Sequence, residues 1–436
     1  MISKKLLAAS ILAAMGTSAH AIDFQAGDWT LGVSGSVNAF YSSTSCDNNA
    51  NGSSGYAAVL TACGSIGAGQ DGSSIQNGLL PGFINFTAST TQKGYDIKAN
   101  VGVHPGTSNE GGLDLGAGPA GLPAQAVAGG VGNSVGDARQ IWLSFGNEQM
   151  GTIKLGRDIG LFQQQAILND MTLLGVGTGG GFSGALNTTT GMIGNGYIYA
   201  EFKPQITYTL PTAKELTLSV GVYQPSRTVG AALNTLTGSG ANPSGATGGT
   251  TTRPGLNGLA MYDFGTGKVW GSFLNQEYED QTDRIKYETN GFELGGKIGF
   301  GALELMAVGF TGEGLGSGVA AVDGFSSAAT TAGQDAQQRD SNGYLLQATY
   351  KIGDTKLGVS HGMSKLDLAA NETAVGAKGG ALLDESSATT LGVYHSLTPN
   401  LTLVGEYIMA EQSAQDRANF ADVEADTFAI GAIIFF

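Results

Sequence analysis

The charged residues that could carry chemistry stand singly within extended, mostly apolar stretches of the chain. Lys98, Lys154, Lys203 and Lys297 each have an apolar neighbour on one side or on both. Successive side chains of a strand point to opposite faces, so these lysines lie on the face opposite the apolar residues. The acidic residues that follow the same pattern are Asp96, Glu293, Glu304 and Glu406. Single charges of both signs on one face indicate a hydrated interior that interacts with ions.

One short segment has the spacing of a catalytic motif. Residues 358–362 read Gly-Val-Ser-His-Gly, as in a hydrolase nucleophile elbow, which needs a turn between a strand and a helix to expose its serine. The residues around Ser360 alternate as in a strand, so we interpret the match as chance. Three histidines, His104, His361 and His395, are scattered along the chain and lack the spacing of metal ligands. We expect no enzyme, no catalytic residue, no metal and no cofactor.

The chain has two cysteines, Cys46 and Cys63, and both lie in one polar, Gly- and Ser-rich segment. Two cysteines alone do not complete a zinc site. In an exported protein, a local disulfide across this segment is the expected outcome, and two free thiols are the alternative.

The first residues have the features of an export signal. Lys4 and Lys5 precede an apolar stretch, residues 6–15, that is too short to span a bilayer as a helix. Small residues flank His20 and form a cleavage site. We therefore predict a signal peptide over residues 1–21 and a single folded domain over residues 22–436.

The rest of the chain alternates between apolar and polar residues in segments of strand length. Residues 29–41 are the first such strand, seven hairpins follow, and residues 425–436 are the last, which makes sixteen strands. Short turns alternate with longer loops, 13% of the residues are charged, and 71 are glycine. This pattern predicts an all-β protein: a 16-stranded antiparallel transmembrane β-barrel with long extracellular loops and short periplasmic turns. A soluble, secreted β-protein is the alternative.

The last ten residues support a closed barrel. Phe428, Ile430, Ala432, Ile434 and Phe436 share one face of the final strand. An exposed apolar strand edge promotes aggregation, whereas closure of a barrel removes the edge.

One hairpin is similar to a known family. Its sequence runs from Arg139 through Ile-Trp-Leu-Ser-Phe-Gly and Gly-Thr-Ile-Lys-Leu-Gly to Arg157. It resembles the trimeric Gram-negative general porins, and so do the signal, the first strand and the terminal Phe436. The resemblance implies a homotrimer in the cell outer membrane that allows passive diffusion of small hydrophilic solutes and ions. It also implies that Phe436 is an assembly signal for the outer-membrane insertion machinery.

The resemblance further implies that the third long loop, residues 158–196, folds into the lumen and narrows it. Asp158 and Asp170 are the only charged residues in this loop, so an acidic cluster of the family kind is missing. Strict alternation places Arg157 on the apolar face, and the resemblance places it in the pore wall. The pore-lining residues that we predict are Lys98, Lys154, Arg157, Asp158, Asp170 and Lys203.

The charge balance bears on partners and on ion preference. The formal net charge is −15, and loss of Lys4 and Lys5 with the signal changes it to −17. An acidic chain argues against nucleic acid as a partner, and most of the excess acid lies in the loops. We expect a modest preference for cations, and lipid and lipopolysaccharide around the barrel. A substrate-selective channel is the nearest alternative, and an outer-membrane adhesin or enzyme is a more distant one.

Overall fold

The structure is a computed structural model in which the placement of eleven segments is described. These segments are residues 22–48, 62–63, 71–107, 136–179, 188–225, 253–279, 286–318, 320, 323–326, 337–375 and 382–436. The predicted signal peptide, residues 1–21, lies outside the described residues. Among the described residues, no helix is long and apolar enough to cross a membrane.

Antiparallel strands make up nearly all of the described chain. In chain order they are β1 (Ile22–Ala26), β2 (Trp29–Asn48), β3 (Asp71–Gln76), β4 (Phe83–Gln92), β5 (Tyr95–Pro105), β6 (Gly136–Asn147), β7 (Gly151–Ile159), β8 (Phe202–Thr209), β9 (Leu216–Tyr223), β10 (Gly255–Asp263), β11 (Gly267–Glu279), β12 (Lys286–Phe300), β13 (Leu303–Glu313), β14 (Asp340–Ile352), β15 (Thr355–Leu366), β16 (Leu383–Ser396), β17 (Leu401–Ala414) and β18 (Val423–Phe435).

Sixteen of these strands form one closed ring. Each strand from β4 to β18 pairs with the next, β18 pairs with β2, and β2 pairs with β4. The two remaining strands, β1 and β3, are short and pair only with β2, at its two ends. The predicted 16-stranded antiparallel barrel is therefore confirmed. The sequence pattern did not reveal β1 and β3 as strands.

Alternation along the strands separates an apolar outer face from a polar inner one. On β18, Phe428 and Ile430 are 50% and 54% exposed, whereas the intervening Ala429 is 1% exposed. Exposed apolar side chains on the outer face are stable in contact with lipid chains, which are themselves apolar. The lysines and acids picked out from the sequence lie on the inner parity of their strands.

The inner and outer faces are exchanged locally where β5 meets β6. The pairing shifts between Gly102 and His104, which is a β-bulge. Arg139, which strict alternation places outside, is 4% exposed, and its Cζ lies 5.8 Å from the centre of the Phe202 ring. A bulge re-aims a side chain in this way because it inserts an extra residue into one strand.

Phe436 extends the pairing of β18 with β2 that closes the ring. The N–H of Gly35 donates to the carbonyl of Phe436 at 2.7 Å, and the N–H of Phe436 donates back to Gly35 at 3.0 Å. The Phe436 ring lies directly over Gly35, where a Cβ atom would meet the ring at 2.5 Å. The apolar end of β18 and a glycine in β2 therefore form one joint.

The two cysteines form a disulfide between β2 and the following loop. Cys46 and Cys63 have Cα atoms 5.6 Å apart and are 17 residues apart in the chain. Both cysteines are buried. A disulfide that closes a loop of this size reduces the conformational entropy of the unfolded chain. In that entropic model it stabilises the folded protein by about 3 kcal/mol at room temperature.

We expect unreduced peptides of the membrane-purified protein to contain Cys46 linked to Cys63 in mass spectrometry. Two thiols that react with an alkylating reagent in the folded protein would contradict this pairing. Alkylation of a reduced, unfolded sample is the positive control for the reagent.

Candidate pore constriction

The long segment between β7 and β8 enters the interior of the barrel, as its described residues, 160–179 and 188–201, show. Its two ends meet where the N–H of Gly160 donates to the carbonyl of Glu201 at 2.8 Å. The segment contains a short helix α1 (Gln164–Asn169) and a 3-10 helix (Met171–Leu174). We call residues 160–201 the inward loop. Residues 158–196 were predicted for it. The difference arises because β7 continues to Ile159 and β8 begins at Phe202 rather than near Tyr197.

The inward loop crosses the lumen and is bonded to the side of the barrel that contains β11 to β17. Its backbone and side chains bond inward-facing side chains of six strands, namely Ser272, Glu293, Gln347, Ser364, Ser386 and Glu406. Val176 of the loop is fully buried among inward apolar residues of the wall, including Phe40, Ile408 and Ile433. Burial of apolar side chains thus stabilises the loop against the wall, and hydrogen bonds from polar side chains determine its orientation.

Two glutamates anchor the loop in the same way. One oxygen of Glu406 accepts from the Tyr394 hydroxyl at 2.6 Å, and the other accepts from the N–H groups of Val176 and Gly177 at 2.8 and 2.9 Å. One oxygen of Glu293 accepts from Trp270 Nε1 at 2.8 Å, and the other accepts from the N–H of Gln163 at 3.1 Å.

Each of these carboxylates therefore joins a wall aromatic group to the loop backbone. Both glutamates are buried, so they do not line the open passage. Buried carboxylates are tolerated where several donors satisfy them, as here.

Asp170 organises the inward loop from within. Its carboxylate accepts from the N–H of Thr172 at 2.8 Å, the N–H of Met192 at 3.2 Å and the Tyr197 hydroxyl at 2.8 Å. Burial raises the pKa of this carboxyl, although the three donors act in the opposite direction. Asp170 is 4% exposed, so the structure places it inside the loop and not on its surface.

The wall opposite the anchors, formed by β4 to β9, carries partly exposed charges. Lys98 and Lys154 face each other across Ser144, and their Nζ atoms lie 5.9 and 5.7 Å from the centre of the Trp142 ring. Lys154 forms an ion pair with Asp158, which also accepts from Gln140 Nε2 at 2.9 Å. Within the described residues, no carboxylate lies within ion-pair distance of Lys98.

The two remaining basic residues of the predicted set do not join this group. Lys203 is buried, pairs with Glu201 at 2.8 Å, and lies over the Tyr223 ring. Arg157 stands opposite Ile141 in an unbroken ladder, and Ile141 faces outward. The backbone of Arg157 therefore has the outer parity of β7, whereas its Nε atom is buried, and its place in the pore wall stays a prediction.

The sequence pattern identified Glu293 and Glu406 as inward residues but not as anchors of the loop. Their aromatic partners, Trp270 and Tyr394, were missed, although both alternate with apolar outward residues and so share the inner face. Their position on the inner face was the sequence signal that could have identified Trp270 and Tyr394. Contact with a loop more than a hundred residues away leaves no local pattern.

A comparison with known protein families agrees with the closed 16-stranded barrel. A sequence model of Gram-negative porins matches residues 8–415. The chain belongs to the Gram-negative porins. No curated protein sequence matches it significantly.

Several solved structures have the same fold as this porin at low sequence identity. The outer membrane channel DcaP of Acinetobacter baumannii aligns with a TM-score of 0.62 at 13% identity, over 95% of this chain and 99% of that one. An anion-selective porin from Comamonas acidovorans aligns at 0.57 and 12%, over 94% and 100%. OmpF of Salmonella typhi, solved with daunomycin, aligns at 0.56 and 12%, over 95% and 100%.

Family and fold together define the general activity of this porin. It is a multi-pass β-barrel of the outer membrane and a channel for passive diffusion. The family consists of channels rather than enzymes. Ser360, in the hydrolase-like segment, is fully buried inside β15, which is a strand and not an elbow.

Proposed function

We propose that this porin is a homotrimeric diffusion channel whose narrowest passage runs between the inward loop and the wall of β4 to β9, and that this passage prefers small anions. The observation that carries the proposal is that the inward loop packs against one side of the lumen only. It is anchored by Glu293 of β12 and Glu406 of β17, and it covers that side of the wall. On the side formed by β4 to β9, Lys98, Trp142 and Lys154 remain partly exposed.

The preference for anions follows from the charges that a passing ion meets at short range. Asp158 neutralises Lys154, and Lys98 has no such partner within the described residues. The sequence predicts a cation preference from acid in the loops, but a charge more than a Debye length from the passage is screened. Because that length is about 8 Å at physiological salt, acids farther than this from the passage have little effect on the ions that cross it.

The other partners follow from membership of the family. We infer a cleaved signal peptide over residues 1–21 and a folded domain over residues 22–436. We also infer a surrounding bilayer with lipopolysaccharide and delivery of the chain by the outer-membrane insertion machinery through Phe436. The exposed apolar outer face of β18, with Phe428 and Ile430, supports the lipid contact. Small hydrophilic solutes and ions are the permeants.

Replacing Lys98 with alanine should shift the ion preference toward cations. A unit positive charge attracts an anion and repels a cation 6 Å away with about 0.7 kcal/mol each in water. The difference of about 1.4 kcal/mol corresponds to about a tenfold change in the ratio of anion to cation permeability. Salt reduces this effect, so it should be largest in dilute solution. The measurement is the reversal potential across a salt gradient in a planar bilayer.

The matched control is Lys214→Ala, which removes the same charge from an exposed turn between β8 and β9. Its reversal potential should equal that of the parent. A cation-selective parent channel, or equal shifts in the two variants, would contradict the proposed role of Lys98.

A further inference from the structure

A continuous chain of hydrogen bonds joins the disulfide segment to the inward loop. The N–H of Ala62 donates to Gln412 Oε1 at 2.8 Å, and Gln412 Nε2 donates to Ser386 Oγ at 3.0 Å. Ser386 Oγ donates to Asn195 Oδ1 at 2.7 Å. Asn195 belongs to the inward loop, and Ala62 precedes the disulfide-bonded Cys63. Two wall residues therefore connect two loops that are far apart in the sequence.

The chain continues within the inward loop. Asn195 Nδ2 donates to Thr178 Oγ1 at 3.3 Å, and Thr178 Oγ1 donates to the carbonyl of Gly191 at 2.7 Å. Thr178 lies next to Gly177, whose N–H binds Glu406. All five bonds run in the same direction, so each hydroxyl or amide both accepts and donates. Such chains strengthen their members in a low-dielectric interior.

A row of small inward residues provides the surface on which both loops rest. The residues are direct ladder partners on five adjacent strands, namely Gly362, Ala388, Ala410, Ala425 and Cys46. At one end, a Cβ on Gly362 would lie 2.0 Å from the carbonyl oxygen of Asn195. At the other end, Cys46 is bonded to Cys63. We call this row the small-residue shelf.

The small-residue shelf explains why both loops come so close to the wall. Larger side chains at these positions would fill the space that Ala62, Cys63 and Asn195 occupy. With alanine and glycine there, the two loops pack on one surface, and Gln412 and Ser386 at its margin bond to both.

We propose that Gln412 and Ser386 are positioning residues for transport, which couple the disulfide-bonded segment to the inward loop and thereby set the width of the passage. The proposal rests on the inward loop bounding the narrowest passage. The disulfide holds Ala62 in place, and Gln412 and Ser386 hold Asn195 relative to Ala62. Asn195 in turn orients Thr178, which lies next to Gly177, and the N–H of Gly177 binds Glu406 of the wall. Without the disulfide, the amide of Gln412 loses its fixed partner, and the loop becomes less restrained.

The test combines removal of the disulfide with removal of the connection. The disulfide is removed by Cys46→Ala with Cys63→Ala, and the connection by Gln412→Met, which keeps the length of the side chain without its polar atoms. All variants are folded into bilayers, and single-channel conductance and current noise are recorded. The control is Gln415→Met, because the half-buried Gln415 bonds the carbonyls of Leu366 and Leu383 and none of the inward-loop residues that the structure describes.

We expect loss of the disulfide to change conductance and raise noise in the parent and in Gln415→Met. In Gln412→Met the same loss should produce no further change, since the coupling is already broken. Equal changes in all backgrounds, or no change in any, would overturn the proposal. If the alanine pair does not fold, a dithiol added to folded parent and folded Gln412→Met gives the same comparison: it reduces the disulfide to two thiols and is itself oxidised to a cyclic disulfide.

The reversal potential in these recordings depends on Lys98 and not on Gln412. A parent channel without anion preference would therefore contradict the proposed function and leave this test unaffected. Restoration of disulfide dependence by Gln412→Asn, which retains both the amide acceptor and the amide donor, would distinguish a specific connection from general destabilisation.

Discussion

Replacing Glu406 with alanine should release the inward loop from the far wall and increase single-channel conductance and noise. Glu406 satisfies the Tyr394 hydroxyl and the N–H groups of Val176 and Gly177, and all of these are buried. Each buried donor left without an acceptor costs about 1–3 kcal/mol. The variant removes three such bonds at once, so the seated position of the loop becomes strongly disfavoured. Single-channel recording measures the change in the passage, and thermal unfolding measures the loss of stability.

Glu304→Ala is the matched control for this experiment. Glu304 is also an inward glutamate of the wall, but it is partly exposed and pairs with Lys297 at 2.9 Å rather than with the loop. We expect its conductance noise to match that of the parent. Unchanged conductance and unchanged noise in Glu406→Ala would show that the loop does not depend on this anchor.

Replacing Gly35 with valine should prevent closure of the barrel and greatly lower the yield of folded protein. A Cβ at this position would meet the Phe436 ring at 2.5 Å and the Phe83 carbonyl oxygen at 2.7 Å. The second contact is with backbone, which cannot move without breaking the pairing of β2 with β4. Deletion of Phe436 should have a similar effect, because it removes both hydrogen bonds of the joint. Heat-modifiable migration in electrophoresis measures the folded fraction.

Gly405 provides the control, since a Cβ there would have no heavy atom within 4 Å. Gly405→Ala should fold in parental yield. If Gly35→Val also folds in parental yield, the Phe436 joint is not needed for closure. If only the Phe436 deletion fails, Phe436 acts as a recognition signal and not through its packing on Gly35.

The strands and the ring could be predicted from the sequence because a strand in lipid has a strict local rule. Every backbone group must be paired within the protein, and every second side chain must tolerate lipid. The period of two is therefore visible in each strand, as in Phe428, Ile430 and Ile434 of β18. The same rule identified Lys98 and Lys154 as inward residues without any tertiary information.

The rule failed where the chain departs from regular pairing. Arg139 reaches the inside through a bulge, and a bulge leaves no periodic signal. Arg157 has no bulge and keeps the outer parity that strict alternation gives it. The short strand β3 was missed because most of its partner residues on β2 lie past the stretch with clear alternation.

The sequence by itself determined which residues face the lumen, and only the tertiary structure decided which of them remain exposed there. Glu406 and Lys98 have the same inward parity, yet one is buried beneath the inward loop and the other lies on the uncovered wall. The difference depends on where a loop between β7 and β8 finds apolar residues and hydrogen-bond acceptors on strands up to 230 residues away. The parity of a strand residue depends on its sequence neighbours, so it can be inferred from local spacing. Its burial beneath the inward loop depends on residues far away in the sequence, so it can be seen only in the packed barrel.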